Sequence, residues 1–445
     1  MDLNEQQVQR LAKVAALREQ GSDPYPPRSE RSHTAAQALE RFTRVEPTLS
    51  GDYDSEPVIV AGRVVAIRDM GKSVFAHVRD GSGTIQVYLR RNVIGADALD
   101  AFKHDIDLGD FAQFTGRLFR TRSGEITVEV DAFRLLSKAI NPPPDKWHGL
   151  TDVEMRYRQR YVDLMANEET RQLFVTRANI IRAIRRFLDD HGFLEVETPT
   201  LQPLYGGAAA RPFTTYYHAL DQTFYLRIAD ELYLKRLLVG GYERVYEICK
   251  DFRNEGIDSM HAPEFTMLEF YAAFTDYRDI MALCEQLVPH VAQEALGTHR
   301  IRWGEHEIDL SPPWPRVSLR DALIETTGID FLAVTDQNEL YQRAKTVGAD
   351  VTPDTVWPRI IDELLKTFVR PTLIQPTFLT DYPVELSPLA KRSPEDPRIV
   401  ERFQAFMAGI EFANAFTELN DPIDQLQRFR DQARDRAAGD EEAMP

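Results

Sequence analysis

The chain has 445 residues, more than one ordinary domain holds, and this length predicts two or three domains. A formal net charge of −17 excludes a protein that coats nucleic acid through a uniformly basic surface. It is compatible with a nucleic-acid-binding surface that is basic only locally. No apolar run reaches the ~20 residues of a membrane helix, and the N-terminus lacks a signal-peptide core, so we expect a cytoplasmic protein. The two cysteines, Cys249 and Cys284, have no metal-ligand spacing and are expected to be reduced.

Residues 1–50 are predicted to form a helical extension. Residues 1–20 have an amphipathic helical pattern, which the prolines between residues 23 and 28 end.

Residues 51–139 are predicted to form one β domain. Three strand patterns, a helical stretch at 96–106 and two further strand patterns follow one another, with hairpin turns at 80–83 and 123–124. This is the order of an OB-fold, a five-stranded barrel that binds oligonucleotides. A proline-rich linker is predicted over 140–150.

Residues 151–445 are predicted to form a mixed body in which an antiparallel sheet is surrounded by helices, because strands and helices do not alternate regularly. A helix at 176–190 with one apolar stripe is followed by Gly192 and a strand over 193–199.

The segment 245–271 predicts two strands joined by a loop, with charges and aromatic rings sharing one face. The residues of that face are Arg253, Glu255, Phe265, Met267, Glu269 and Tyr271. A sheet with one solvated face is the simpler alternative, but it explains the aromatic residues poorly. We interpret the hairpin as a floor that binds an anionic, ring-bearing ligand together with a cationic group.

Two further segments carry candidate binding groups. Residues 206–213 begin with small side chains and then become basic. The glycines among them permit close approach of the backbone to a ligand. Glu231 begins a predicted helix, where it either binds a ligand or compensates the helix dipole.

Glu411 and Glu418 lie in an otherwise apolar strand pattern, which favours a divalent-cation site. They are separated by an odd number of positions, so an ideal strand would place them on opposite faces. If both bind one metal ion, a bulge or bend must lie between them.

In their order along the chain, several segments resemble the lysyl-tRNA synthetase family of class II aminoacyl-tRNA synthetases. The segments are RYRQRYVDL (156–164), FLEVETP (193–199), GGAAARPF (206–213), RIADELYLKRL (227–237), FRNEG (252–256), HAPEFTMLEFY (261–271), LSPLAK (386–391) and ELND (418–421). The resemblance implies an α+β chain in which an N-terminal OB-fold binds the anticodon and residues 151–445 form the class II catalytic domain.

The family's catalytic roles, carried over to matching positions, imply a site for ATP and L-lysine. Arg253 and Glu255 would be catalytic and, with His261 and Phe265, would bind ATP. Lysine-binding positions would be Gly206, Gly207, Glu231, Glu269, Tyr271, Asn414 and Asn420. Glu411 and Glu418 would hold Mg²⁺.

The remaining implications concern partners. Arg68, Phe75, Gln86 and Glu125 would read the anticodon of tRNA(Lys), and residues 193–199 with the preceding helix would form a homodimer interface.

The chain ends at residue 445, before any match to the family's motif 3, so we expect a C-terminal truncation that lacks the last strand and helix of the catalytic domain. An inactive or tRNA-binding fragment is therefore an alternative to a complete enzyme. Aspartyl- and asparaginyl-tRNA synthetases share the same architecture, but Glu231 and Glu269 make the pocket acidic and favour a cationic amino acid.

Overall fold

The computed structural model describes residues 3–143, 150–208, 210–258 and 261–437. The chain divides into two compact units, residues 1–172 and residues 173–445.

The first unit contains a closed five-stranded barrel with the strand order β1-β2-β3-β5-β4, which confirms the predicted OB-fold. Its elements are α1 (Glu5–Glu19), α2 (Ala35–Val45), β1 (Val58–Asp69), β2 (Ser73–Arg79), β3 (Thr84–Arg90), α3 (Arg91–Ile94), α4 (Ala96–Asp105), β4 (Phe111–Arg120), β5 (Ile126–Ser137), α5 (Val153–Arg158) and α6 (Arg160–Ala166).

Alternating side chains fill the barrel. Val74, Ala76 and Val78 on β2 are buried in its core, while the residues between them lie on the outer face. A side chain at Gly116 would collide with the backbone carbonyl of Glu129 on β5, so this position keeps β4 and β5 close together.

The second unit combines helices with several small sheets. Its elements are α7 (Glu168–Asp190), which begins before the unit boundary, β6 (Leu194–Glu195), β7 (Leu201–Gln202), β8 (Thr214–Tyr217), β9 (Gln222–Leu226), α8 (Glu231–Val239), β10 (Arg244–Phe252), β11 (Glu264–Ala272), α9 (Tyr277–Leu296), β12 (Arg300–Trp303), β13 (His306–Asp309), β14 (Arg316–Ser318), α10 (Leu319–Thr327), α11 (Gln337–Thr346), α12 (Trp357–Leu364), β15 (Thr377–Pro383), β16 (Ile399–Met407), β17 (Ile410–Phe416) and α13 (Pro422–Ala437).

The strands of this unit form the sheets β11-β10-β6, β7-β9-β8, β12-β13 and β14-β15-β16-β17. Pairing is antiparallel except between β6 and β10 and between β14 and β15. The α+β class is therefore confirmed.

Two predicted elements have different bounds. The helix expected over 176–190 begins earlier, at residue 168, and the strand expected over 193–199 is reduced to β6. Backbone pairing with β10 continues only to Val196, whose N–H donates to the Tyr246 carbonyl. The backbone N–H of Thr198 donates to the Glu247 side chain instead of to a strand.

The first strand of the central hairpin ends at Phe252, so Arg253 and Glu255 lie beyond it. Part of the predicted 140–150 linker, residues 144–149, lies outside the described residues, and the proposed domain boundaries stay predictions. Among the described helices, none has the length and apolar character to cross a membrane.

Candidate functional site

The hairpin of β10 and β11 forms the floor of the candidate site. Asp251 pairs with Phe265, Cys249 with Met267, and Glu247 with Glu269. Because side chains alternate along each strand, these residues share one face of the hairpin. The opposite face packs in an apolar cluster around Tyr246, so only this face is available for polar chemistry.

Arg253 and Phe265 lie together at one end of the floor. The guanidinium carbon of Arg253 is 5.1 Å from the Phe265 ring centroid, and its Nε donates to the carbonyl of Ile228 at 3.4 Å. Both side chains are half-buried. The pair therefore offers a positioned cation next to an aromatic face, as the sequence predicted.

The other two predicted ATP-binding residues are not part of the floor. Glu255 lies in an exposed bend after β10. His261 is exposed, and its Nδ1 lies 2.8 Å from an Asp258 carboxylate oxygen. The predicted alignment of Glu255 with Arg253 on one strand face is wrong, because the strand ends before both residues.

An acidic pocket lies at the other end of the floor. The Tyr271 hydroxyl donates to Glu269 Oε2 at 2.9 Å. Burial, reinforced by the charges of Asp230 and Glu231, raises the pKa of Glu269 well above its ordinary value, and burial likewise raises the pKa of Tyr271. A ligand cation placed here would lower the free energy of the ionised carboxylate.

The glycine-rich loop lies against this pocket. Gly207 has φ +92°, and a side chain on it would come within 3.0 Å of the Glu231 Cβ. A side chain on Gly206 would meet Leu232 at 2.8 Å. The two glycines therefore let the backbone approach Glu231, which is buried at the start of α8.

Lys235, which the sequence analysis missed, supplies an ammonium group to the same pocket. Its Nζ lies 2.6 Å from Glu231 Oε1 and 2.7 Å from Glu418 Oε2. Burial raises the pKa of Glu418 to about 7, with Lys235 acting in the opposite direction. The i,i+4 spacing of Glu231 and Lys235 was the available signal for half of this arrangement.

Strand β17 contains the predicted bulge. Ala413 pairs with Ala405 whereas Glu411 pairs with Phe406, so Phe412 is the extra residue. Glu411 and Asn414 consequently lie opposite Phe406 and Gln404, which are alternate residues of β16 and share one face.

The two predicted asparagines are exposed and already hydrogen-bonded. Asn414 Oδ1 accepts from Arg402 Nε at 3.0 Å, and Asn420 Oδ1 accepts from Lys391 Nζ at 3.0 Å. Their hydrogen-bond partners are Arg402 and Lys391 rather than Glu269 or Tyr271, so their place in a lysine pocket stays a prediction.

The prediction also missed four buried groups next to Glu269, namely Asp230, Glu247, Cys249 and Asp251. We call Asp230, Glu247, Cys249, Asp251 and Glu269 the buried acidic cluster. Glu247 and Asp251 are buried on the same face of β10 as Cys249. Glu247, Cys249 and Asp251 lie at alternate positions before Arg253, and this pattern in the sequence would have identified them. Asp230 lies just before α8 and gives no periodic signal.

The barrel places three of its four predicted nucleic-acid contacts on neighbouring strands and the fourth, Glu125, just before β5. Arg68 on β1 pairs with Phe75 on β2, and Gln86 on β3 donates to Glu125 Oε2 at 2.7 Å. The Phe75 ring stacks on Tyr88, with centroids 4.2 Å apart. Tyr88 was missed, although its alternation with Gln86 on one strand was visible.

Two family profiles match the chain. Residues 152–445 match the class II tRNA synthetases (D, K and N), and residues 58–136 match the OB-fold nucleic acid binding domain. The fold and the sequence thus define the same class.

Similar curated proteins narrow this class. A lysine–tRNA ligase of Pelotomaculum thermopropionicum is 52% identical over 99% of this chain and 86% of its own length. Lysine–tRNA ligases of a Roseiflexus species and of Bacillus subtilis are 53% and 49% identical, over 90% and 88% of their lengths. The chain belongs to the lysine–tRNA ligase family of class II tRNA synthetases.

These comparisons do not bear out the predicted truncation, since the class II match extends to residue 445 and the relatives are covered over most of their length. They also give no support to the alternative of an inactive or tRNA-binding fragment.

Proposed function

We propose that this protein activates L-lysine with ATP to form lysyl-adenylate and transfers the lysyl group to tRNA(Lys). The observation that carries this proposal is the acidic pocket of Glu231, Glu269 and Tyr271, at the opposite end of the hairpin floor from the cation Arg253. A pocket with buried carboxylates favours an ammonium-bearing side chain and disfavours aspartate, whose carboxylate would meet like charges.

In the activation step, the lysine carboxylate attacks the α-phosphorus of ATP, and pyrophosphate leaves. Arg253 is placed to bind the α-phosphate and the attacking carboxylate, while Phe265 stacks on adenine. Catalysis by positioning needs no enzyme nucleophile and can supply roughly 7–11 kcal/mol of the barrier. His261 would lie near the triphosphate, and Glu255 would lie on the metal or adenine side of the ATP.

The two ammonium groups of lysine would occupy different carboxylates. Glu231, with the backbone of Gly206 and Gly207, would bind the α-ammonium group, and Glu269 with Tyr271 would bind the ε-ammonium group. Lys235 already places an ammonium against Glu231. Asn414 and Asn420 would add neutral hydrogen-bonding groups.

Glu411 and Glu418 are the proposed Mg²⁺ ligands. The bulge at Phe412 supports this assignment because it shifts the side-chain alternation by one residue between Glu411 and the end of β17, two residues before Glu418. Two carboxylates suit Mg²⁺, which completes its shell with phosphate oxygens and water. When bound, the ion would neutralise negative charge on the triphosphate.

The transfer step needs tRNA and a dimer interface. Arg68, Phe75, Gln86 and Glu125 would bind the anticodon by stacking and by hydrogen bonds to base edges. Leu173 and Leu194, on α7 and β6, are 65% and 46% exposed, which supports a homodimer through this region. A cytoplasmic location follows from the proposed substrates.

Amino-acid-dependent ATP–pyrophosphate exchange tests the proposal. We expect exchange with lysine and none above background with aspartate, asparagine, alanine or arginine. Exchange with aspartate or asparagine in place of lysine would overturn the assignment, and charging of tRNA(Lys) then tests the second step.

A further inference from the structure

The buried acidic cluster contains more negative charge than the described residues around it compensate. Asp230 is 0% exposed, and neither of its carboxylate oxygens has a hydrogen-bond donor. Asp251 is equally buried, and its Oδ2 is also unpartnered. A buried carboxylate without a partner is strongly disfavoured, so this arrangement calls for a proton or a cation.

Arg227 neutralises only one side of the cluster. Its Nη1 lies 2.8 Å from Glu247 Oε1, and its Nε lies 3.5 Å from Asp251 Oδ1. Within the described ranges, Asp230 has no ion pair, and Glu269 accepts from the neutral hydroxyl of Tyr271 and lies against the Asp230 carboxyl group, which brings no positive charge. The uncompensated charge therefore centres on Asp230.

Ligand atoms of three different residue types converge at Asp230. One ligand atom each of Asp230, Glu247 and Cys249 lies within 4.8 Å of the others, and the same holds for Asp230, Asp251 and Glu269. Ligand–zinc bonds of about 2.0–2.3 Å hold ligand atoms less than about 4.6 Å apart. Small side-chain movements would therefore let either group share one ion.

The Cys249 side chain indicates which class of metal ion the cluster would bind. Cys249 is buried, its thiol lies 3.7 Å from Asp251 Oδ1, and it is not in a disulfide. Thiolate ligands select thiophilic metals such as zinc, whereas Mg²⁺ and Ca²⁺ prefer oxygen. A thiol among carboxylates is thus unsuited to the Mg²⁺ proposed for Glu411 and Glu418.

We propose that Asp230, Glu247 and Cys249 form a binding site for a thiophilic divalent cation of the zinc class, separate from the ATP-linked magnesium site. Asp251 and Glu269 surround the site and add negative charge. Binding forms a metal–sulfur bond and releases the Cys249 thiol proton to solvent. The bound cation supplies the positive charge that Asp230 lacks.

Cobalt(II) titration of the metal-stripped full chain tests this site. We expect a thiolate-to-cobalt charge-transfer band that saturates at one ion per chain and disappears when zinc is added in excess. Cys249→Ser should abolish the band. Cys284→Ser is the matched control, because Cys284 is buried in an apolar cluster, and it should leave the band unchanged.

A second variant keeps the test valid if Cys249→Ser does not fold. Asp230→Asn retains both thiols and should weaken cobalt binding at least about tenfold. Absence of the band in the wild-type chain would overturn the proposal, as would an undiminished band in Cys249→Ser or Asp230→Asn. Neither result depends on lysine activation, so failure of this site leaves the proposed function open to its own test.

Discussion

The barrel unit and the catalytic unit differ in whether the buried carboxylates compared below have a cationic partner. In the barrel unit, Lys138 is fully buried with its Nζ 2.5 Å from Asp107 and 2.7 Å from Asp110. Hydrogen bonds from Arg41 lower the pKa of Asp54. In the catalytic unit, burial reinforced by the charges of Asp251 and Glu247 raises the pKa of Asp230 to about 6.

Buried carboxylates can therefore be divided into those that stabilise the fold through an ion pair and those that lack a compensating cation. A paired carboxylate has a lowered pKa and favours the folded state, whereas an unpaired buried one has a raised pKa and opposes it. A raised pKa beside a glycine loop whose backbone approaches closely is therefore the stronger indication of binding.

Substitution of Arg253 should give the largest contrast between the units. Arg253→Ala is expected to reduce lysine-dependent ATP–pyrophosphate exchange by about 10²–10³, because it removes the positioned cation from the α-phosphate. Arg68→Ala in the barrel should leave exchange unchanged. Equal losses in both variants would contradict the division of roles.

Glu269→Gln tests the acidic pocket. Loss of one member of a buried charge pair costs about 2–5 kcal/mol, so the KM for lysine in exchange should rise roughly 30-fold or more. Glu264→Gln, at the exposed start of the same strand, is the matched control and should not change this KM. An unchanged KM in Glu269→Gln would place the ε-ammonium group elsewhere.

Phe75→Ala should act only on the tRNA step. Loss of a stacking ring costs about 1–3 kcal/mol per base, so the KM for tRNA should rise roughly 5–150-fold while exchange is retained. A change in exchange instead would show that the ring supports the fold of the barrel rather than the nucleic acid.

Asp230→Asn should stabilise the metal-free protein by about 1–3 kcal/mol, because it removes an unpaired buried charge and adds two donors. Thermal unfolding in the presence of a chelator measures the change in stability. Asp163→Asn is the contrasting control, since Asp163 is as fully buried but accepts from Arg156 Nε at 3.0 Å, and its loss should destabilise. Destabilisation by both variants would remove the contrast.

Asp54→Asn should give a smaller effect that depends on pH. The folded-state pKa of Asp54 lies below its ordinary value of 3.8, so its contribution is present above that pH and is lost as the pH falls through the folded-state pKa. We expect the variant to lose about 1–2 kcal/mol at pH 7 and less near pH 2. Urea unfolding at both values, with exposed Asp131→Asn as control, measures the difference.

Local patterns in the sequence predicted most of the fold. The strand order of the barrel, the hairpin of β10 and β11, and the helix beginning at Glu231 all depend on neighbouring residues, and alternation or turn residues reveal them. The bounds near β6 were wrong because a side chain, Glu247, replaces a backbone partner there. Such a replacement leaves no periodic signal.

Contacts within the site were harder to predict because they join distant segments. Lys235 reaches Glu418 from a helix far earlier in the chain, and Asp230 meets Cys249 only once α8 packs beside β10. Ligand spacing could not have indicated the proposed site at Cys249, since spacing detects only ligands that lie close together along the chain.

The bulge at Phe412 has a consequence for how this strand tolerates change. The extra residue shifts the side-chain alternation of β17 by one position. It therefore determines whether Glu411 shares a face with Asn414. A deletion of Phe412 would remove the bulge and leave Glu411 two positions from Asn414, so regular pairing would keep both on one face. Closing the bulge without losing a residue would instead place Phe412 opposite Phe406 and turn Glu411 to the other face. The strand is therefore more sensitive to a slip in its pairing than to the loss of Phe412.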